Sequence, residues 1–562
     1  MRIVKGFMLL SILFWMSSST FAIDIKDVDL SQPFPLSLID YPTTGAPTDP
    51  WLILDVDNIQ INTDGTGQIQ NEEMVCVNPT NPLNAVALWR DFREGYRRVG
   101  VGYTFDGGQT WVDTLLVVPP HPRQSDPVLA VDDEGNFFAC TLCLVWGDGP
   151  SGIYVQKSTD GGVNWGDPVV AIDSNENFFE DKQWIAIDRS PAPSNGNIYI
   201  PWARFDADYS RNQVVLSASR DNGQSYGRPV AVSDGRSIQW PTVAVGMEGE
   251  VYVAWYSGWP LGVYMDVSYD EGETFGDDVL LADINTGSTQ INGEILVFPY
   301  PALASDVSLI SPYLGNVYVA HMDRNGSDMD IFFMSSNDGG ENWSETVRIN
   351  DDPEHNGADQ FHPWITVDEG GVIHAIFYDR RLDDENLLFD LFYTRSDDAG
   401  QTWSENERIT DVSSDPSNAR LAGLIGEYIG LSATQGEVQM VWTDTRNGNQ
   451  DVYSGHMSPT AVDSDRPIAP TDLSLKAPYP NPFNASVSIS FYSTEARVVN
   501  LEIIDILGRT VAGLHNGICG VGMNRFTWDG TDRDGHESAS GVYFAKLSDS
   551  NGIQVKRAVM LR

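Results

Sequence analysis

Two recurring positions collect the residues of this sequence that could do chemistry. The first lies just before each of seven predicted strands and carries carboxylates and aromatic residues. The second lies just after the next predicted strand and carries arginines and aspartates. Guanidinium groups bind carboxylates through paired hydrogen bonds, and aromatic faces pack on sugar rings. The combination suits a sugar or a carboxylated glycan.

Each position supplies its own candidates. The first contains the candidate residues Asp126, Glu180, Asp181, Trp240, His362 and Tyr428. The second contains the candidate arginines Arg90, Arg204, Arg380 and Arg446. An aspartate also recurs at the second position, as Asp91, Asp323, Asp379 and Asp444. A residue that recurs in most repeats is more often a turn cap or an ion pair than a ligand, so the first position is where we expect a site.

An eight-residue motif positions these candidates. It has a hydroxyl residue, an Asp two residues later, a Gly four later and an aromatic residue seven later. Its six copies are Thr104–Trp111, Ser158–Trp165, Ser219–Tyr226, Ser268–Phe275, Ser336–Trp343 and Ser396–Trp403. The carboxylate can accept backbone N–H groups of its own turn, and glycine adopts the positive φ that a reversal needs. We interpret the motif as a structural hairpin turn.

The spacing of the motif predicts an all-β fold. Its aspartates lie 54, 61, 49, 68 and 60 residues apart, the length of a four-stranded propeller blade. Seven innermost strands are predicted: Met74–Val77, Val128–Val131, Trp184–Ile187, Thr242–Val245, Ala302–Ser305, Trp364–Val367 and Tyr428–Ser432. We therefore expect a seven-bladed β-propeller over residues 67–457, closed by a strand at Leu52–Asn62 within an N-terminal segment, residues 23–66.

On these copies the chain resembles the Asp-box, or bacterial neuraminidase repeat, proteins, of which the sialidases are members. The resemblance implies that the motif joins the third and fourth strands of each blade, away from the active site. For a sialidase it also implies an arginine clamp from Arg90, Arg204, Arg380 and Arg446. The nucleophile would be Tyr428, and the acid and base would come from Glu180, Asp126 and Asp181.

The sequence departs from the sialidase pattern in three ways. It contains no Arg-Ile-Pro, the motif that carries one sialidase arginine, and it predicts seven blades where sialidases have six. Glu427 and Tyr428 are strand neighbours that point to opposite faces, so the partner of Tyr428 must come from another blade. Two classes stay open: a glycan-cleaving enzyme needs a deep pocket with three convergent arginines, and a non-catalytic propeller binding glycans or proteins predicts a shallow acidic mouth.

The two ends of the chain indicate export. Residues 1–22 have Arg2 and Lys5, then an apolar core too short for a membrane span, which is typical of a secretory signal peptide. Residues 458–472 form a Pro- and Asp-bearing linker, and residues 473–562 predict a small immunoglobulin-like β-sandwich. The runs YPNPFN, LGR, WDG and SGVYF resemble the C-terminal sorting domain of type IX secretion cargo. That resemblance implies the type IX machinery as a partner and a secreted or outer-surface location.

Composition excludes several other classes. There are 34 Lys and Arg against 79 Asp and Glu, a net charge of −45, which disfavours nucleic acid as a partner. Cys140 and Cys143 lie three apart on a predicted strand and point to opposite faces, so we expect no metal or redox role. We expect no cofactor, no metal site and no transmembrane segment in the mature chain, and we assign His321 and His374 to the core or rim. An extracellular glycan or glycoprotein is the expected ligand.

Overall fold

The structure is a computed structural model. It describes residues 56–118, 121, 123–144, 151–173, 175–208, 211–418, 425–458, 473–475, 478, 483–484, 486–493, 496–505, 509–520, 522–533, 535–549 and 553–560. The predicted signal peptide and nearly all of the predicted linker lie outside the described residues. Within those residues the regular elements are β-strands and short 3-10 turns, so the all-β prediction is confirmed. No helix among them is long and apolar enough to cross a membrane.

Seven antiparallel sheets follow one another in the described part of the chain up to Met457. The first contains Gln70–Asn78, Asn81–Asp91, Arg98–Thr104 and Val112–Leu115. The second contains Arg123–Val131, Phe137–Leu144, Ser151–Ser158 and Val169–Ile172. The third contains Phe178–Asp181, Ala186–Ile187, Ile198–Asp206, Asn212–Ser219 and Val230–Ala231. The fourth contains Arg236–Val245, Val251–Trp259, Leu261–Ser268 and Val279–Ala282.

The remaining sheets have the same order, with one insertion. The fifth contains Ala302–Ser305, Val317–Asn325, Asp328–Ser336 and Val347–Arg348. The sixth contains Gln360–Val367, Ile373–Asp379, Asp390–Ser396 and Glu407–Arg408. The seventh contains Gly430–Thr434, Glu437–Asp444, Asp451–Met457 and Ile59–Gln60. The insertion precedes the fifth sheet and is the hairpin Thr289–Ile291 and Ile295–Val297 around the 3-10 turn Asn292–Glu294; a second 3-10 turn spans Pro416–Asn418.

The innermost strands bring the sheets together in a propeller-like arrangement. Each contacts the innermost strand of the next sheet, and Gly430–Thr434 of the seventh also contacts Gln70–Asn78 of the first. Ile59–Gln60 pairs antiparallel with Asp451–Met457, so a strand from before the first sheet completes the last one. This pairing covers the edge that the seventh sheet would otherwise expose.

Aromatic residues of the second strands fill the space between sheets. Trp89, Trp202, Trp255 and Trp442 are fully buried. Trp89 lies so close to Gly100 of the neighbouring strand that a Cβ there would come within 2.1 Å of the indole. Replacing such a buried ring by alanine costs about 3–5 kcal/mol, so these residues carry much of the packing energy.

The six predicted hairpin turns form as expected. In each, the Gly four residues after the hydroxyl residue donates its N–H to that hydroxyl at 2.8–3.1 Å. The Asp Oδ1 accepts the N–H of the residue four later at 2.8–2.9 Å. The turns join the third strand to the fourth. In the first sheet Val77 pairs with Ala85 and Ala85 with Thr104, so the turns lie at the opposite end from Asn71 and Arg90.

Residues 473–560 form two further sheets with a core of their own. One contains Leu473–Leu475, Val487–Ser493 and Gly522–Trp528. The other contains Thr510–Cys519, Arg497–Asp505, Gly541–Ser548 and Ile553–Met560. Trp528 and Phe483 pack in the core with their ring centroids 5.5 Å apart. The predicted β-sandwich is confirmed.

We expect Asp338→Ala to lower the free energy of unfolding by about 1–2 kcal/mol, because each hydrogen bond of this kind contributes about 1 kcal/mol. Asp338 accepts three, from Ser336 Oγ and from the N–H and Nδ2 of Asn342. Urea unfolding of the purified chain measures the change. Glu345→Ala, at an exposed residue of the same turn region, is the control and should stay within about 0.5 kcal/mol of wild type. Equal midpoints for the two variants would contradict the structural role.

Candidate functional site

Seven residues occupy equivalent positions in the seven sheets. Each lies two residues before the point where the innermost strand pairs regularly with the second strand. They are Glu72, Asp126, Lys182, Trp240, Tyr300, His362 and Tyr428. The pairing register shifts at four of them, and five have φ between 49° and 61°. Bulges re-aim side chains, and non-glycine residues at positive φ mark strained backbone. The predicted strands began after Glu72, Asp126, Trp240 and His362, whereas the observed strands extend through these four residues.

Lys182 connects four of the sheets. Its Nζ lies 2.6 Å from Glu427 Oε2, 3.1 Å from Asp126 Oδ2 and 3.9 Å from Glu72 Oε1. Burial alone would lower the pKa of this ammonium, but the carboxylates of Asp126 and Glu427 outweigh burial and raise the pKa well above its usual value. We call Glu72, Asp126, Asp181, Lys182, Trp240 and Glu427 the mouth cluster.

The carboxylates of the mouth cluster differ in protonation. Burial raises the pKa of Glu72 to about 8, against the attraction of Arg90 and Lys182. Burial likewise raises the pKa of Asp181 to about 7. For Asp126 the effect of burial is overcome by Lys182 and by the Ser125 hydroxyl, and its pKa falls to about 2. The cluster therefore holds ionised and protonated carboxyl groups side by side near neutral pH.

Aromatic rings border the mouth cluster. The Trp240 indole N–H donates to Glu427 Oε2 at 3.0 Å. Trp184 lies with its ring centroid 4.7 Å from that of Trp364 and 5.4 Å from that of Tyr428. A cavity of about 20 Å³, lined by Trp184, Trp240 and Tyr428 among others, has room for about one water molecule. Any larger ligand must bind on the solvent side of these rings.

The four candidate arginines already have partners. Arg90 pairs with Glu72 at 2.7 Å, and Arg204 pairs with Glu180 at 2.7 Å. Arg446 pairs with Asp444 and Asp411, and it donates to Asn58. Arg380 donates to the carbonyl oxygens of Asn386 and Asn292 at 3.0 and 2.9 Å. Each of the four is therefore held by its own set of partners, and a clamp formed by them stays a prediction.

Tyr428 and Glu180 also have fixed roles. Tyr428 is 5% exposed, and its hydroxyl donates to the carbonyl oxygen of Pro127 at 3.1 Å. Burial raises its pKa well above the usual value, with Glu72 and Asp126 as the next contributions. Charges from other sheets thus lie near the phenol, while Glu427 binds Lys182 and Trp240. Glu180 holds Arg204 and accepts the Trp202 indole N–H.

His362 packs among buried aromatic rings. It is fully buried, its ring stacks on Phe298 at 6.2 Å, and it lies 5.9 Å from the Tyr300 ring. Burial lowers its pKa to about 3, so the imidazole is neutral at physiological pH. The ring is therefore a packing surface. Among the described residues there is also no group of three or more metal-binding side chains.

The aspartates of the second position are structural, as their recurrence indicated. Asp91, Asp379 and Asp444 each accept the backbone N–H and the guanidinium of the arginine two residues later. Asp323 instead accepts two N–H groups of Asn285 and one of Thr286. The four cysteines are free thiols, and Cys140 and Cys143 are both buried on one strand.

The sequence reasoning missed Lys182 and did not select Glu72 as a site residue. Lys182 lies in the run Glu180-Asp181-Lys182-Gln183, where the acidic neighbours drew attention. Aligning the seven innermost strands on the residue where pairing resumes would have found both. The signal is a single position that is charged in three repeats and aromatic or imidazole in the other four.

Comparisons with known proteins give one domain match and several distant structural likenesses. Residues 481–552 match the family of the FlgD Ig-like domain, which agrees with the sandwich. No curated protein matches the chain.

Similar solved structures include three that act on glycans by name. The Hadza microbial sialidase Hz136 has 14% identity and a TM-score of 0.42 over 57% of this chain and 65% of its own, so the chain spans just under two thirds of it. The α-L-arabinanase of Penicillium chrysogenum complexed with arabinobiose has 11% identity and a TM-score of 0.40, covering 73% and 99%. The leech intramolecular trans-sialidase has 13% identity and a TM-score of 0.38, covering 72% and 70%. With TM-scores below 0.5, none of these likenesses bears on activity.

The raised pKa of Asp181 leads us to expect that the stability of the protein depends on pH. Its pKa of about 7 exceeds the usual value of 3.8, so the folded protein keeps a proton that the unfolded chain releases between these values. The free energy of unfolding therefore falls as pH rises through this window and levels off above it. Asp181→Asn removes the titration, and its amide oxygen can still accept the Gln239 N–H. We expect the variant to be about 1–3 kcal/mol more stable than wild type at pH 8, with the gain shrinking towards pH 4.

Urea unfolding from pH 4 to pH 8 measures this difference. Asp277→Asn, at an exposed carboxylate, is the control and should leave the pH profile of wild type unchanged. A stability difference for Asp181→Asn that stays constant across the pH range would contradict the raised pKa.

Proposed function

We propose that the chain is an exported, seven-bladed β-propeller that binds extracellular glycans at the mouth cluster. The observation that carries this proposal is the equivalent position described above. Side chains of different kinds meet there from several repeats, on backbone held at positive φ. The repeat itself does not demand such residues, because Trp240, Tyr300 and Tyr428 fill the same position in other sheets.

The chemistry of the mouth cluster favours sugars. Carboxylates accept hydrogen bonds from sugar hydroxyls, the Lys182 ammonium donates to their oxygens, and the Trp240 and Trp184 rings offer faces for the apolar side of a pyranose or furanose. Four carboxyl groups lie around Lys182, two of them with raised pKa values, so the cluster has no excess of positive charge, and the whole chain carries a charge of −45. Neutral glycans are therefore better ligands than sialylated ones.

Cleavage of sialic acids is less well supported. It requires three free arginines at one point and an available tyrosine, whereas Arg90, Arg204 and Arg446 form ion pairs and the Tyr428 hydroxyl is bound to Pro127. The non-catalytic alternative raised by the sequence fits this arrangement better.

Hydrolysis of a neutral glycan is a second candidate, and the carboxyl groups of Asp126 and Asp181 favour it. Glycosidases use one protonated and one ionised carboxyl group, and these two have pKa values of about 2 and about 7. In this scheme Asp181 is the general acid, and Asp126, which Lys182 keeps ionised, is the nucleophile or the carboxylate that stabilises positive charge. Release of reducing sugar by wild type, lost in both Asp126→Asn and Asp181→Asn with binding retained, would establish it.

We expect the purified chain to bind neutral glycans on a printed array of neutral and sialylated oligosaccharides. Lys182→Met and Trp240→Leu should each weaken binding at least about tenfold, because buried polar contacts and aromatic stacking are both lost. Lys556→Met, at an exposed lysine of the sandwich, is the matched control and should bind like wild type. Unfolding midpoints separate lost binding from lost folding. Binding confined to sialylated glycans, or turnover of a fluorogenic sialoside, would overturn the proposal.

We also propose that residues 473–562 direct export through the type IX machinery after removal of residues 1–22. The sandwich has a separate core, and its sequence carries the sorting-domain runs. In a host with this secretion system, the full chain should reach the cell surface or medium. A chain ending at residue 472 should stay in the periplasm, as cell fractionation would measure. Equal secretion of the two chains would rule out a sorting role.

A further inference from the structure

A polar cleft of about 370 Å³ lies beside the inserted hairpin of the fifth sheet. Its side chains come from the hairpin, the fifth sheet and the sixth sheet, and they include Gln290, Asn292, Glu294, Arg324, Asp359 and Asn386. The volume falls in the range of small-molecule sites. Of these, only Arg324 lies at the second position defined from the sequence, directly after Asp323.

The cleft is held in shape by a buried arginine. Arg380 is fully buried and donates to the carbonyl oxygens of Asn292 on the hairpin and Asn386 on the sixth sheet. The hairpin also packs tightly, since a Cβ at Gly293 would come within 2.8 Å of Leu387 and Pro416. The candidate clamp residue Arg380 therefore fixes the wall of a cleft that exists without a ligand.

A network of hydrogen bonds orients the far wall. Asp359 Oδ1 accepts the N–H of Met329 at 3.0 Å, and its Oδ2 accepts Asn386 Nδ2 at 2.8 Å. The Asn386 Oδ1 in turn accepts the Asp359 N–H at 2.9 Å. These groups are fixed before any ligand arrives, which lowers the entropic cost of binding.

The lining selects the class of ligand. Amide and carboxylate groups predominate, with Ile291 as the apolar exception among the side chains. Such groups exchange hydrogen bonds with hydroxyls, so the cleft suits a polyhydroxylated ligand rather than an apolar one. Glu294 and Asp359 are balanced by the guanidiniums of Arg324 and Arg380, so the cleft has no excess of positive charge to attract an anionic sugar.

The hairpin links the cleft to the mouth cluster. Its second strand ends at Val297, and the next residue, Phe298, packs on Trp240 with centroids 5.2 Å apart and on His362. Tyr300, six residues after Glu294, lines the cavity of the mouth. Six extended residues span at most about 20 Å, so one oligosaccharide can reach both places.

We propose that this cleft is an outer subsite for a neutral sugar unit of the same glycan that the mouth cluster binds. This inference rests on the proposed function. It adds that the ligand is long enough to reach the cleft and that the sugar unit bound there is uncharged. An oligosaccharide that covers both places gains affinity with length until it fills the cleft. Shorter ligands use the mouth cluster alone.

Calorimetry with xylo-, arabino- and cello-oligosaccharides of one to six units tests the subsite on the full chain. In the series that binds, affinity should rise with length. The double variant Glu294→Ala/Arg324→Ala should lose about tenfold for the longest member and nothing for the shortest that binds. The double variant Glu345→Ala/Arg228→Ala replaces an exposed carboxylate and an exposed guanidinium away from the cleft and should match wild type.

The outcomes separate the two proposals. If wild type binds no member of any series, the proposed function fails and the subsite fails with it. If wild type binds, Lys182→Met abolishes binding and the cleft variant keeps the full length dependence, the mouth stands and the subsite is overturned. A loss that is equal for short and long ligands would also overturn it, because the cleft would then support the mouth rather than bind a distant unit.

Discussion

The arrangement of the mouth depends on one ammonium group among buried carboxylates. The innermost strands of neighbouring sheets contact one another, so the residues that begin them meet in a small volume. Glu72, Asp126 and Glu427 come from three sheets, and Lys182 from a fourth lies within 4 Å of all of them. Without that charge the carboxylates would repel one another in a medium that screens charges poorly.

Such a cluster is costly to build for stability alone. Buried ion pairs lose so much hydration that apolar replacements of similar size are often neutral or stabilising. This chain contains the apolar solution at the equivalent position, where Trp240, Tyr300 and Tyr428 complete other sheets. The packing of the repeat therefore does not require the charged residues of the first three sheets.

The parts of the fold that the sequence predicted well are those set by local geometry. The hairpin turns depend on residues within eight positions of one another, and Asp338, for example, makes its bonds to Ser336 and Asn342. The sequence around Cys140 and Cys143 likewise predicted a strand, and both residues lie on the buried strand Phe137–Leu144. The pairing of Ile59–Gln60 with the last sheet needed only the rule that edges are covered.

The parts of the site that escaped prediction depend on distance in the chain. The positive φ of Lys182 leaves no mark in the local sequence. Of its partners, Glu72 lies more than a hundred residues before it and Glu427 more than two hundred after it. The strand ends place Arg204 beside Glu180 and Arg446 beside Asp444, and convergence of these arginines on a ligand stays a prediction.

The mouth cluster and the cleft both combine hydrogen-bond donors and acceptors, the first in a buried setting and the second nearer to solvent. In the mouth, burial and Lys182 divide the carboxyl groups into protonated and ionised members, so hydrogen-bond donors and acceptors for hydroxyls occur side by side. In the cleft, amides beside Glu294 and Asp359 provide the same mixture nearer to solvent. Trp240 and the buried Phe298 lie between the two and connect them through packed rings. The proposed neutral glycan would therefore meet donors and acceptors for its hydroxyls in both places.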